Sequence, residues 1–295
     1  MVVPLILILR YISCYYIFNN ADFSMLRLFL IFLLISGCAQ RSSEFKKFTS
    51  VDALVASGGF SKKLVKGENF WITTFGKTAD ITQPYVFYIE GDGLVSRDDP
   101  TPRNFMLLNL AMLDKRPNVY YVSRLCQYTP MHMNPSCHKK YWAEHRYSEE
   151  AVRELNSVIN QLSNSKPFDL VGFSGGGTMA VLVGARNNNV RSILTIAANL
   201  DLETFVKYHN MHINHLSGSL NPMDYVSRVQ HIPQLHIFGS KDKIVPSIIG
   251  SNFVKKAANK CVQMKVIPGV EHNYYWLKHW DDILSYRINC NNYLN

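Results

Sequence analysis

Residues 171–177 read Val-Gly-Phe-Ser-Gly-Gly-Gly, with Ser174 between an apolar run and a helix-like one. A serine hydroxyl becomes a nucleophile only where a base can take its proton, and a glycine-packed strand-to-helix turn holds it exposed on a strained backbone. The pattern G-x-S-x-G at such a turn is the sequence form of a nucleophile elbow. Alone it also describes an ordinary glycine-rich turn. Two later residues supply the rest of the chemistry. Asp242 comes after the apolar residues 234–238 in Gly-Ser-Lys-Asp, and His272 comes after residues 262–267 in Pro-Gly-Val-Glu-His. A histidine to take the serine proton, and a carboxylate to hold that histidine in one tautomer, are what acyl transfer by a hydroxyl requires. Asp201 and its neighbour Asn199, beyond the strand before Asp242's, are the alternative acid or supporting contacts. The negative oxygen of a tetrahedral intermediate also needs two donors. Gly175 offers the first, at the start of a helix, and the turn after residues 84–89 offers the second from Asp92 or Gly93.

The elements that must carry these residues can be read from apolar periodicity. Residues 84–89 (PYVFYI) and 168–171 are continuously apolar, as strands buried on both faces are. Further strands are expected at 70–75, 119–122, 192–197, 234–238 and 262–267. A helix is expected over 104–113, another after Ser148 with apolar residues three and four apart, and a third after Ser174. Strand alternating with helix predicts an α/β fold: a mostly parallel central sheet flanked by helices, with a short cap segment near 200–230. Every candidate residue then lies just past a strand end, on the edge where such sheets bind ligands. Trp142, Arg146 and Arg124 either brace the long loop after 119–122 or line the pocket. His209, His212 and His215 fall three apart, but no carboxylate completes a metal site, so the expectation is no metal and no cofactor.

The order Ser, Asp, His resembles the α/β-hydrolase superfamily. Residues 89–93, 99–103, 124–128, 141–142 with 146–147, 199–201 and 218–222 look like a group of bacterial α/β-hydrolases that are often exported or lipid-anchored. The resemblance spans about residues 68–280 and implies a serine hydrolase of unspecified substrate. Glu90-Gly91 stands where lipases and esterases of this superfamily often carry His-Gly, a departure beside the second oxyanion donor. A carboxylester or other small acyl substrate is expected, with a peptidase or amidase as the alternative. A surface-binding lipoprotein that keeps the fold without the chemistry is the third reading.

Composition agrees with an exported globular domain. The chain of 295 residues is 47% hydrophobic and 12% aromatic, which excludes a mainly disordered protein. Its net charge is +9. The basic residues form no stripe, so no nucleic-acid partner is expected. Residues 26–35 form a leucine-rich run with Arg27 near its start, and Ser-Gly-Cys follows at 36–38, resembling a lipoprotein signal read from Met25. Lipidation of Cys38 would tether the protein to a bacterial envelope membrane, the outer one favoured because Ala39 is the next residue. One or two membrane-spanning helices are the alternative. The expected organisation is a leader over 1–38, a tether and N-terminal extension over 39–66, and the hydrolase domain over 67–295. Four cysteines remain outside the leader, either as the pairs Cys126–Cys137 and Cys261–Cys290 or as buried thiols.

Overall fold

A computed structural model describes residues 50–286, 288 and 290, so the expected leader, Cys38 and the polar stretch over 39–49 lie outside the described residues. Eight strands form one sheet: β1 (Ser61–Lys66), β2 (Trp71–Thr78), β3 (Tyr85–Ile89), β4 (Asn118–Val122), β5 (Phe168–Phe173), β6 (Val190–Ile196), β7 (Gln234–Gly239) and β8 (Val262–Ile267). Their order is β1-β2-β4-β3-β5-β6-β7-β8. Only β2 runs against its neighbours β1 and β4, and every pairing from β4 to β8 is parallel. All residues of β3, β4, β5 and β7 are buried, which is why these strands carry no polar alternation.

Helices cover both faces, chiefly α2 (Met106–Leu113), α3 (Glu149–Ser163), α4 (Gly175–Gly184) and α7 (Ile248–Ala257). Ser148 caps α3 as expected, its hydroxyl accepting from the Ala151 N–H at 3.3 Å. The helix stops at Asn164, whose left-handed φ of 51° the short polar side chain tolerates. Between β6 and β7 lies the short cap segment, built from α5 (Leu202–Tyr208), two 3-10 turns and α6 (Val226–Val229).

The chain enters the sheet earlier than the expected boundary at residue 67. A first helix, α1 (Val51–Ser57), leads into β1, which pairs along its whole length with β2 at the sheet edge. Its sequence, Ser-Lys-Lys-Leu-Val-Lys, hides this: an edge strand keeps its lysines in water and its apolar residues only half buried. Both expected cysteine pairs are disulfides, with Cα atoms 5.8 Å apart for Cys126–Cys137 and 4.6 Å for Cys261–Cys290. Among the described residues no helix is long and apolar enough to cross a membrane.

Candidate active site

The direction of chain travel across the sheet reverses between β3 and β5, because β3 leads outward to β4 while β5 leads the other way to β6. At such a point the loops leaving adjacent strands part and open a crevice. The turn 90–93 leaves β3 on one side of it, and Ser174 leaves β5 on the other. Ser174 holds φ 52° and ψ −124°, a conformation that costs a non-glycine residue on the order of 1–3 kcal/mol. Its own N–H anchors it to the Ile196 carbonyl at 2.8 Å. The flanking glycines are demanded by close approach. A Cβ on Gly172 would run into the Gly176 carbonyl, and one on Gly176 into the carbonyls of Ile89 and Glu90. The motif's two glycines therefore let strand, turn and helix touch backbone to backbone.

The structure brings Ser174, His272 and Asp242 together across 98 residues of sequence. Ser174 Oγ lies 3.1 Å from His272 Nε2, and His272 Nδ1 lies 2.7 Å from Asp242 Oδ2. The other carboxylate oxygen, Oδ1, accepts the backbone N–H groups of Ile244 and Val245 at 2.8 Å each. With its side chain fully buried, Asp242 is an acceptor-only group facing Nδ1. Nδ1 must then carry the proton, which leaves Nε2 free to accept from the serine hydroxyl. Asp201 is committed elsewhere: it caps α5 through the Thr204 N–H at 3.1 Å and binds the Thr204 hydroxyl at 2.7 Å and Asn252 Nδ2 at 2.9 Å. The alternative of Asp201 as the acid is thereby corrected, because both its oxygens serve the helix start. Asn199 is buried on the cavity wall, and its side-chain oxygen has no partner among the described residues.

On the opposite wall, the side chain of Asp92 is held from three directions. Arg124 Nη1 lies 3.3 Å from Oδ1, Arg146 Nη1 lies 3.1 Å from Oδ2, and the Tyr147 hydroxyl donates to Oδ2 at 2.6 Å. Desolvation pushes this carboxyl upward most strongly of any single effect. The two guanidiniums and the tyrosine together outweigh it, and the group sits below the ordinary carboxylate range. A Cβ on Gly175 would meet this same carboxylate, so the clamp presses directly on the elbow. Gly93 turns the loop away with φ 69°. Neither the Asp92 N–H nor the Gly175 N–H has an acceptor among the described residues. Of the three loop residues whose role the sequence left open, Arg124 and Arg146 form the clamp, while the Trp142 indole donates to the Arg97 carbonyl at 2.9 Å. A carboxylate so placed between two distant arginines leaves no spacing signal in the sequence.

Glu90 lies beneath the same turn. Burial drives its carboxyl up to about 7, against hydrogen bonds from the Tyr121 hydroxyl at 2.6 Å and the Gly91 N–H at 2.7 Å and the charge of Arg124. From its ordinary 4.5 up to about 7, the unfolded chain gives up this proton while the folded chain keeps it. Stability from Glu90 therefore falls as pH rises through that window, by roughly 3 kcal/mol in all. Buried His236, lowered by desolvation to about 3 from 6.5, acts in the other sense, costing stability as pH falls from 6.5. The clean readout is a difference. The Tm of Glu90→Gln minus that of the wild type is expected to rise between pH 5 and pH 7.5, and a difference independent of pH would remove the buried, proton-holding Glu90 from the picture.

The crevice is a cavity of about 320 Å³ whose walls include Leu94, Phe173, Phe205, Ile244 and Val245, with Ser174 and His272 in its lining. Phe205 comes from the cap segment. A second cavity of about 780 Å³ lies at the amino ends of β5 and β6, where Asp169 is paired with both Arg116 and Arg191. It contains no residue of the constellation around Ser174. His209 bonds the Ile244 carbonyl at 2.8 Å and His212 accepts from the Asn214 N–H at 3.3 Å. Among the described residues no three His, Cys, Asp or Glu side chains are grouped to hold a metal ion.

Solved structures share this architecture at low identity. A puromycin-hydrolysing peptidase of Mycobacterium tuberculosis matches 77% of this chain at TM-score 0.57 and 13% identity, this chain spanning 40% of its length. An esterase of Pyrococcus furiosus matches 78% of this chain and 92% of its own at TM-score 0.54 and 12% identity. A Xanthomonas campestris α/β serine hydrolase described as lacking a lid matches 76% of this chain and 91% of its own at TM-score 0.50 and 13% identity. These likenesses establish the fold, that of the α/β-hydrolases. Among curated proteins none matches. The model of the family described as serine hydrolase (FSH1) matches residues 123–272, just over half the chain, and begins just after β4 and closes on His272 itself. With the elbow at Ser174 inside that span, the chain belongs to the FSH1 serine hydrolase family.

Proposed function

We propose that the protein hydrolyses carboxylic esters through an acyl-enzyme formed on Ser174. Ser174 Oγ attacks the ester carbonyl as its proton passes to His272 Nε2, and Asp242 holds the charged imidazole in place. The backbone N–H groups of Gly175 and Asp92, with Gly93 next along the turn, receive the oxyanion. Collapse of the tetrahedral intermediate expels the alcohol, which takes the proton from His272. Water then attacks the acyl carbonyl with His272 as base, releasing the acid and restoring the serine. The observation that carries this reading is the unbroken chain of contacts from Ser174 through His272 to Asp242, at 3.1 and 2.7 Å, on the wall of the cavity.

The cavity favours esters over amino-terminal peptides. Its two wall carboxyls, Glu90 and Asp92, are already bonded to protein groups, which leaves neither free for a substrate ammonium. At about 30 Å³ per solvent-sized group, 320 Å³ holds about ten non-hydrogen atoms, so the acyl chain served best is short to medium. Lipid on Cys38 would hold the domain at the envelope, a reading supported by the apolar run before that cysteine and by two disulfides of the kind that persist in oxidising compartments.

A fluorophosphonate probe tests the chemistry. The wild type is expected to label and Ser174→Ala to remain unlabelled. On p-nitrophenyl esters of graded length, kcat/KM is expected to rise to about eight carbons and fall beyond, the length that about ten non-hydrogen atoms of cavity allow. Equal labelling of Ser174→Ala sinks the mechanism, and faster turnover of aminoacyl anilides than of every ester makes the enzyme a peptidase. In the same labelled cells the band should partition with membranes and become soluble in Cys38→Ser. A band that ignores that change removes the anchor.

A further inference from the structure

The peptide joining Gly91 to Asp92 is bonded on one side only. Its carbonyl, on Gly91, accepts from Gln127 Nε2 at 3.0 Å, while its N–H, on Asp92, has no acceptor among the described residues. The bond is trans, so the carbonyl and N–H of this plane point in opposite directions. Fixing the oxygen therefore aims the hydrogen. Gln127 is itself held fast: its Oε1 accepts from the Arg124 N–H at 3.0 Å, and it is buried next to the Cys126–Cys137 disulfide. An acceptor need on one side and a donor need on the other leave its amide a single orientation. On the far side of the same Cα, the Asp92 carboxylate is gripped by Arg124, Arg146 and Tyr147.

We infer that Gln127, together with the Arg124–Arg146–Tyr147 grip on Asp92, is a positioning device that aims the Asp92 N–H at the oxyanion. This rests on the serine hydrolase reading above and names the residues that set its oxyanion donor. None of the four needs to touch substrate. All come from the loop between β4 and α3, which the 126–137 disulfide closes on itself, with two non-glycine residues of left-handed φ, Cys126 at 67° and Tyr128 at 57°, flanking Gln127. A loop whose 123–127 segment is buried and which a covalent bond closes is a rigid mount, and rigidity is what a donor needs if it is to be in place before charge develops. The Arg124 side chain also donates to the Arg146 carbonyl, so the two arms of the grip brace each other.

The test separates aim from fold. In Gln127→Glu the carboxylate keeps the bond from the Arg124 N–H but replaces the donor with an oxygen facing the Gly91 carbonyl, which turns the peptide plane away. Removing one oxyanion donor outright costs on the order of 100- to 1000-fold in kcat. Misdirecting it is expected to cost roughly 10- to 100-fold in kcat with KM changed less than about threefold, because the donor acts on the transition state. Affinity for an alkyl boronic acid, whose adduct on Ser174 is tetrahedral, should fall by a similar factor. Tyr147→Phe deletes a single hydrogen bond with little change of shape and should show the same pattern at roughly a tenth of the size. If kcat and boronate affinity in both variants match the wild type, the device does not aim the donor. If KM rises while kcat holds, these residues bind substrate instead. Fluorophosphonate labelling lost in Ser174→Ala keeps the parent reading standing whichever way these variants fall.

Discussion

Ser174→Ala and His272→Ala are each expected to lower kcat by on the order of a million-fold, and the double variant by no more than either alone. The reason is mechanical. Ser174 Oγ is a weak nucleophile until its proton has somewhere to go, and the base at hydrogen-bond distance is His272 Nε2, 3.1 Å away. Without the imidazole the hydroxyl stays protonated, and without the hydroxyl the imidazole has no nucleophile to serve. Each deletion removes the whole function of the pair, so the losses cannot add. The oxyanion side should survive, since the N–H groups of Gly175 and Asp92 are backbone and outlast both substitutions. Burst kinetics on a p-nitrophenyl ester give the measurement: no burst in either variant, and a double variant within about tenfold of the singles. Losses that multiply would mean that the two residues act on separate steps and that the contact between them is incidental.

The part of the site that transition-state proton transfer requires was legible in the sequence, because each residue comes just after a strand: buried apolar ones before Ser174 and Asp242, and a half-buried edge strand before His272. Phe168–Phe173, Gln234–Gly239 and Val262–Ile267 each announce themselves, and Ser174, Asp242 and His272 stand just past their three carboxyl ends. Parallel strands fix this, since their carboxyl ends all meet one edge. The grip on Asp92 was not legible. Arg124 and Arg146 are 22 residues apart on a loop with no regular period, and a disulfide and two left-handed residues bring both to Asp92. Nor was β1 legible: Ser-Lys-Lys-Leu-Val-Lys shows no apolar alternation, because its lysines answer to water at a sheet edge and not to a core. Long-range polar contacts are specified by packing, and packing is absent from a linear pattern.

Asp242→Asn is expected to lower kcat by about 10⁴-fold while leaving the fold intact. The two oxygens of this carboxylate have different duties. Oδ1 accepts two backbone N–H groups, from Ile244 and Val245, and Oδ2 faces His272 Nδ1 at 2.7 Å. An asparagine has one oxygen and one NH2. The NH2 cannot face two N–H donors, so the oxygen must take the Oδ1 position and the NH2 must point at the histidine. Nδ1 then accepts, the ring proton moves to Nε2, and the base confronts Ser174 with a donor where an acceptor is needed. The substitution thus keeps every backbone bond of the turn and inverts the tautomer. Asp201→Asn is the internal comparison: asparagine caps a helix about as well as aspartate, and a flip of the Asn252 amide puts its oxygen opposite the new NH2, so kcat should stay within a few-fold and Tm should move little. Nitrogen-15 chemical shifts of the His272 ring report the tautomer directly. A proton on Nε2 in Asp242→Asn and on Nδ1 in the wild type is the expected result. A fully active Asp242→Asn with an unchanged ring would mean that the carboxylate does not govern the base, and the site would have to be rebuilt around another acid.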